Sequence, residues 1–150
     1  MPDALRNYWT MWNEPDVEAV RGHLDLAVTA DFVFADPMHF HIGRDALEQN
    51  VRQLRTSKPR YRFVIASELD AQNHCYRYEW RMMAKHRVLM RGFDFAQLDD
   101  SGLLRRVDGF FGELRPVDDA DSHIPDFLRS PDPGSGSGSG IGSQPAEAGG

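Results

Sequence analysis

Apolar positions along the chain change their period near residue 60. Before it they recur at helical spacing. Leu5, Tyr8, Trp9 and Trp12 lie on one face of an amphipathic helix over residues 3–13. Glu14-Pro15-Asp16 breaks that helix, and Asp16 is placed to cap a second one with Val17, Val20, Leu24, Ala27 and Val28 inward. Residues 31–36 form a short strand and residues 37–43 a loop. Gly43-Arg44-Asp45 opens a third helix with Leu47, Val51 and Leu54 on one side, ending before Pro59.

After residue 60 the period is two. Tyr61, Phe63 and Ile65 alternate with Arg62, Val64 and Ala66; Tyr76, Tyr78, Trp80, Met82 and Ala84 alternate with Cys75, Arg77, Glu79, Arg81 and Met83. A third strand covers Val88–Leu98. A turn at Asp99-Asp100-Ser101-Gly102 leads into a last one, Leu103–Leu114. Helices followed by antiparallel strands predict an α+β fold: a cone-shaped barrel with three N-terminal helices packed on a curved, mostly antiparallel sheet. The open end of such a cone accepts a small ligand.

Composition divides the chain. Residues 1–115 hold the folding unit. Residues 116–133 form an extension rich in proline and aspartate, in which Ile124, Phe127 and Leu128 are able to dock. Residues 134–150 are rich in glycine and serine, too poor in apolar surface to offset chain entropy, and are expected to be a flexible tail. The net charge of -6 and the lack of a basic cluster argue against nucleic acid. The lone cysteine, Cys75, leaves no internal disulfide and lacks the flanking cations of a nucleophile. No apolar run approaches the roughly 20 residues of a membrane helix, and Met1-Pro2-Asp3 precedes an amphipathic segment where a signal peptide would be apolar. The expectation is a soluble cytoplasmic protein without membrane association.

Two aspartates stand in apolar surroundings. Asp36 closes Phe32-Val33-Phe34-Ala35-Asp36-Pro37, and Asp94 lies within Leu89-Met90-Arg91-Gly92-Phe93-Asp94-Phe95-Ala96. A carboxylate is rarely buried without a partner or a task. On strand parity Asp94 shares its face with Met90, Gly92, Ala96 and Leu98. Each also has a bland reading: Asp36 as a strand-exit residue that caps a turn, Asp94 as the partner of Arg91 or another arginine.

The order and spacing of Tyr8-Trp9-Thr10-Met11-Trp12-Asn13, Phe34-Ala35-Asp36-Pro37, Gly43-Arg44-Asp45-Ala46-Leu47 and the closing hairpin from Gly92 to Glu113 resemble the nuclear transport factor 2-like superfamily. Within it the chain looks most like SnoaL-like polyketide cyclases and ketosteroid isomerases. That resemblance implies Asp36 as general base, Asp94 as a protonated hydrogen-bond donor and Tyr8 as a second donor. The stretch from Tyr8 to Asp36 is longer than in those isomerases, and Met38-His39-Phe40-His41 replaces a small-residue segment.

The activity expected from the resemblance is a cofactor-free acid/base isomerisation or cyclisation of a hydrophobic carbonyl compound. Trp9, Phe34, Phe40, Trp80, Met82, Met90 and Phe110 are the expected pocket walls. His39 is a candidate auxiliary base. His39 and His41 lack a third ligand at metal-binding spacing, so no metal or cofactor is expected. Tyr8 also reads as core, and Glu79 with Arg81 as a cross-strand salt lattice.

Two alternatives remain. One is an epoxide hydrolase of the limonene-epoxide type, whose Asp-Arg-Asp set would have to be improvised from Arg77, Glu79, Arg81 and Asp108. The other is a non-catalytic ligand-binding or dimerisation module, its pocket filled by its own aromatics and its aspartates satisfied by arginines. The resemblance also implies a homodimer through the outer sheet face, near Arg77, Glu79, Arg81 and Phe93.

Overall fold

The computed structural model describes residues 1–114. The expected extension at 116–133, with Ile124, Phe127 and Leu128, and the tail at 134–150 lie outside the described residues. Three helices, α1 (Asp3–Asn13), α2 (Val20–Ala27) and α3 (Arg44–Ser57), pack on a seven-stranded sheet. The strands are β1 (Val28–Ala35), β2 (Phe40–Ile42), β3 (Tyr61–Ile65), β4 (Asp70–Gln72), β5 (Cys75–Ala84), β6 (Arg87–Leu98) and β7 (Leu104–Phe111). Their order is β2-β1-β7-β6-β5-β3, with β4 also on β5; only β1 and β7 run parallel. The architecture is the expected mostly antiparallel α+β fold.

Several boundaries differ from the sequence reading. Residues 37–43 contain β2, which pairs with β1 through Val33↔Ile42 and Ala35↔Phe40. The second helix begins at Val20. Asp16 instead caps the turn before it, accepting Glu18 N–H at 2.9 Å. Val28 begins β1, and β7 ends at Phe111. Register shifts at Val28/Val33, Met82/Met83 and Gln97/Leu98 add local twist and bend the sheet around the helices.

The core is the concave side. Leu5, Leu24, Phe32, Leu47, Val51 and Val107 are fully buried there. Each such side chain contributes about 1.5–3 kcal/mol relative to exposure. Two polar residues lock the helices to the sheet. Asn13 Nδ2 donates to Phe63 O at 2.9 Å, and its Oδ1 accepts Phe63 N–H at 2.8 Å, so one amide pairs both backbone groups of an edge strand. The buried Arg55 donates to the carbonyls of Glu14, Pro59 and Tyr61, joining the ends of α1, α3 and the start of β3.

Candidate functional site

A cavity of about 400 Å³ opens between the concave sheet face and the helices. Its deep wall comes from β5, β6 and β7. Successive side chains on a strand alternate faces, so Trp80, Met82, Met90 and Asp94 point inward together. Tyr8, Trp9 and Trp12 line it from α1, and Phe34 and Asp36 from β1 and the residue after it. Gln53, Ser57 and Lys58 on the α3 side, and Met38 after β1, line the cavity yet remain exposed, which marks its mouth.

Asp94 is 5% exposed and has two protein donors. Trp80 Nε1–H donates to Oδ1 at 2.8 Å, and Tyr78 O–H donates to Oδ2 at 3.2 Å. Burial pushes the Asp94 pKa up to about 7; the Trp80 and Tyr78 donors pull the other way, and the negative charge of Asp36 adds to the rise. The expected alternative of an Arg91 partner is corrected: Arg91 points outward and bonds Glu113 at 2.7 Å. Strand parity decides this, because Arg91 alternates with the inward Met90 and Gly92.

Glycines shape the deep wall. At Gly92 a methyl group would collide with the Trp80 ring and the Phe110 carbonyl oxygen, so the indole occupies the space of a side chain at 92. At Gly109 it would stand 3.1 Å from Asp94 Oδ1 and 3.4 Å from Asp36 Cβ. Asp36 and Asp94 thus flank one bare backbone position. Gly109 pairs with Asp94 across β6 and β7, which brings together two aspartates distant in sequence.

Asp36 sits in a tight turn. Its Oδ1 accepts the backbone N–H groups of Met38 and His39, both at 2.7 Å, and His39 Nδ1 lies 3.0 Å from Oδ1 and 3.1 Å from Oδ2. The turn-capping reading and the site reading of Asp36 therefore describe the same residue. His39 lines the cavity. The His41 ring tilts against it at 5.4 Å and stacks on Phe34 at 6.1 Å. Burial, then the neighbouring His39, holds His41 below its ordinary pKa.

Tyr8 lines the cavity but makes no hydrogen bond to Asp94 among the described residues; the tyrosine that does is Tyr78. Burial, then the charge of Asp94, pushes both phenols well above their ordinary pKa, so both keep their protons. Of the expected walls, Trp9, Phe34, Trp80, Met82 and Met90 line the cavity. Phe40 and Phe110 do not, being 65% and 56% exposed. Phe110 follows the inward Gly109 and must face outward, while Phe40 lies on the edge strand β2.

The sequence reading missed Tyr78, Gly109 and the α3 stripe Asn50, Gln53, Leu54 and Ser57. The stripe had a signal: its spacing of i, i+3, i+4, i+7 marks one helix face. Among the described residues no three His, Cys, Asp or Glu side chains gather to hold a metal ion, and no arginine lines the cavity.

Comparison with known proteins identifies the fold. A scan of protein families finds no match, and no curated protein matches. Solved structures do. A candidate isomerase of the SnoaL-like family from Agrobacterium tumefaciens is 26% identical, with 73% of this chain and 95% of that one covered and a TM-score of 0.68. A candidate polyketide cyclase from Sinorhizobium meliloti is 14% identical, with 73% and 94% covered and a TM-score of 0.58. An LEH-like epoxide hydrolase from M. tuberculosis is 14% identical, with 73% and 80% covered and a TM-score of 0.54. The fold is shared with SnoaL-like and nuclear transport factor 2-like proteins among the solved structures.

Proposed function

We propose that the protein binds a hydrophobic carbonyl compound in this cavity and catalyses a cofactor-free proton transfer, as an isomerase or cyclase. One observation carries the reading. A buried carboxyl, Asp94, and a second aspartate paired with a histidine, Asp36, flank Gly109 in the wall of an apolar cavity, and burial raises the Asp94 pKa. Protonated Asp94 donates to the carbonyl oxygen, while the Asp36–His39 pair takes the neighbouring carbon-bound proton. Such a donor acts best in a dry site, where its hydrogen bond to a developing oxyanion is stronger than in water.

The epoxide-hydrolase reading is disfavoured by the neighbours of Asp94, which are Tyr78 and Trp80 with no arginine, and by Arg106 and Asp108 binding each other at 2.6 Å. The non-catalytic reading expected a filled pocket and arginine-paired aspartates; the cavity and the partners of Asp36 and Asp94 differ from both expectations. The homodimer is supported by exposed Phe95 and Phe110, packed edge-on at 5.9 Å on the outer sheet face, and sedimentation equilibrium tests it.

The test of function is proton exchange into a panel of apolar cyclic ketones in deuterated buffer, beginning with 2-tetralone. The wild-type protein should accelerate exchange above buffer, and Asp94→Asn should lose most of that acceleration. No exchange with any ketone would overturn the carbonyl reading.

A further inference from the structure

Asp36 commits Oδ1 to its own turn, and the partner of its Oδ2 is His39 Nδ1. Its Oδ1 accepts two backbone N–H groups, and both oxygens face one imidazole nitrogen. A carboxylate offers about four lone-pair sites, and three of these contacts fall on a single oxygen. Its side chain is 9% exposed, whereas that of His39 is 33% exposed. An ionised carboxylate has no proton to give, so the ring nitrogen facing it, Nδ1, carries the hydrogen in the neutral ring. The other nitrogen, Nε2, then holds a free lone pair and has no hydrogen-bond partner among the described residues. His39 is among the residues that line the cavity.

We infer that His39 Nε2 is the proton-accepting atom of the site and that Asp36 is its positioning residue. The inference rests on the proposed carbonyl chemistry and reverses the role that resemblance assigns to Asp36. In the step, the substrate carbon–hydrogen bond next to the carbonyl breaks. Its proton goes to Nε2, and its electron pair moves into an enolate whose oxygen accepts the Asp94 O–H. The imidazolium so formed lies against the Asp36 carboxylate. In isomerisation Nε2 returns the proton to a conjugated carbon; in exchange the Nε2 proton is first replaced by a deuteron from solvent, which then goes to the original carbon. The titratable groups facing His39 are Asp36 on its own turn and His41 on β2; Asp94 from β6, Tyr8 from α1, Lys58 after α3 and Tyr61 from β3 share the cavity. Burial, then His39, holds His41 below its ordinary pKa, which disfavours a second positive charge beside the ring.

Two measurements test the assignment. The first needs no substrate: nitrogen-15 NMR of the full chain labelled at histidine, read above the histidine titration. The expected result is an Nδ1–H, bare-Nε2 tautomer for His39, lost in Asp36→Asn, which keeps an oxygen for the turn. An Nε2–H tautomer in the wild-type protein would overturn the inference whatever the reaction. The second is exchange into 2-tetralone. His39→Gln should slow it about 10²–10⁴-fold, the usual contribution of a positioned base. Asp36→Asn should slow it less. If Asp36→Asn abolishes exchange while His39→Gln keeps it, Asp36 is the base and the carbonyl reading stands. If the wild-type protein exchanges no ketone, that reading and the base role fall together, while the tautomer still reports whether Asp36 holds the ring.

Discussion

The Trp80 indole N–H reaches Asp94 Oδ1 at 2.8 Å because the ring lies in the space that a side chain at position 92 would fill. Trp80 pairs with Gly92, and Tyr78 pairs with Asp94, across β5 and β6. The glycine thus sets the ring, and the ring sets the carboxyl. Gly92→Ala should displace Trp80 and destabilise the protein by about 1–3 kcal/mol, as overpacking does. Urea denaturation measures this; an unchanged midpoint would show that the ring can shift without cost.

The raised pKa of Asp94 predicts a pH-dependent stability. In the unfolded chain the carboxyl ionises near 3.9, and in the folded protein near 7. Between these values the folded state holds the extra proton, so stability from this group is fully present below about 4 and lost as pH rises through about 7. Asp94→Asn removes the dependence. Its stability relative to the wild type should rise by a few kcal/mol from pH 4 to pH 8. Parallel denaturation curves at the two pH values check it; a constant difference would contradict it.

Tyr78→Phe removes a donor that favours the ionised form of Asp94. The Asp94 pKa should therefore rise further, seen in the titration of its carboxyl carbon. A fall would mean that Tyr78 accepts a proton from Asp94 and does not donate to it.

Asn13→Ala leaves the Phe63 N–H and C=O without their partner. The expected loss is about 1–3 kcal/mol, with faster amide exchange at Phe63. Unchanged exchange there would show that water or another group takes over the pairing.

Periodicity revealed the elements, and strand parity placed Asp94 among Met90, Gly92, Ala96 and Leu98 on the inner face. Parity applied to β7 also puts Phe110 outside, beside the inward Gly109; assigning it to the pocket followed its apolar character and ignored its position. Phe40 was misplaced for a different reason. Its loop contains β2, a strand of three residues, too short for periodicity to register. The Tyr78–Asp94 contact and the meeting of Asp36 with Asp94 depend on register. Register here is set by bulges at Met82/Met83 and Gln97/Leu98, which leave no mark in the hydrophobic pattern. The Asp36–His39 pair is local, three residues apart within one turn.

A carbon-13 titration of the Asp94 carboxyl in the full chain, with Asp94→Asn to assign the resonance, decides whether Asp94 has a proton to donate. The midpoint should lie near 7, raised by burial against the pull of the Trp80 and Tyr78 donors. A midpoint near 4, that of an ordinary exposed aspartate, would mean that the carboxyl is always ionised at neutral pH, and it would remove the donor on which the proposed chemistry depends.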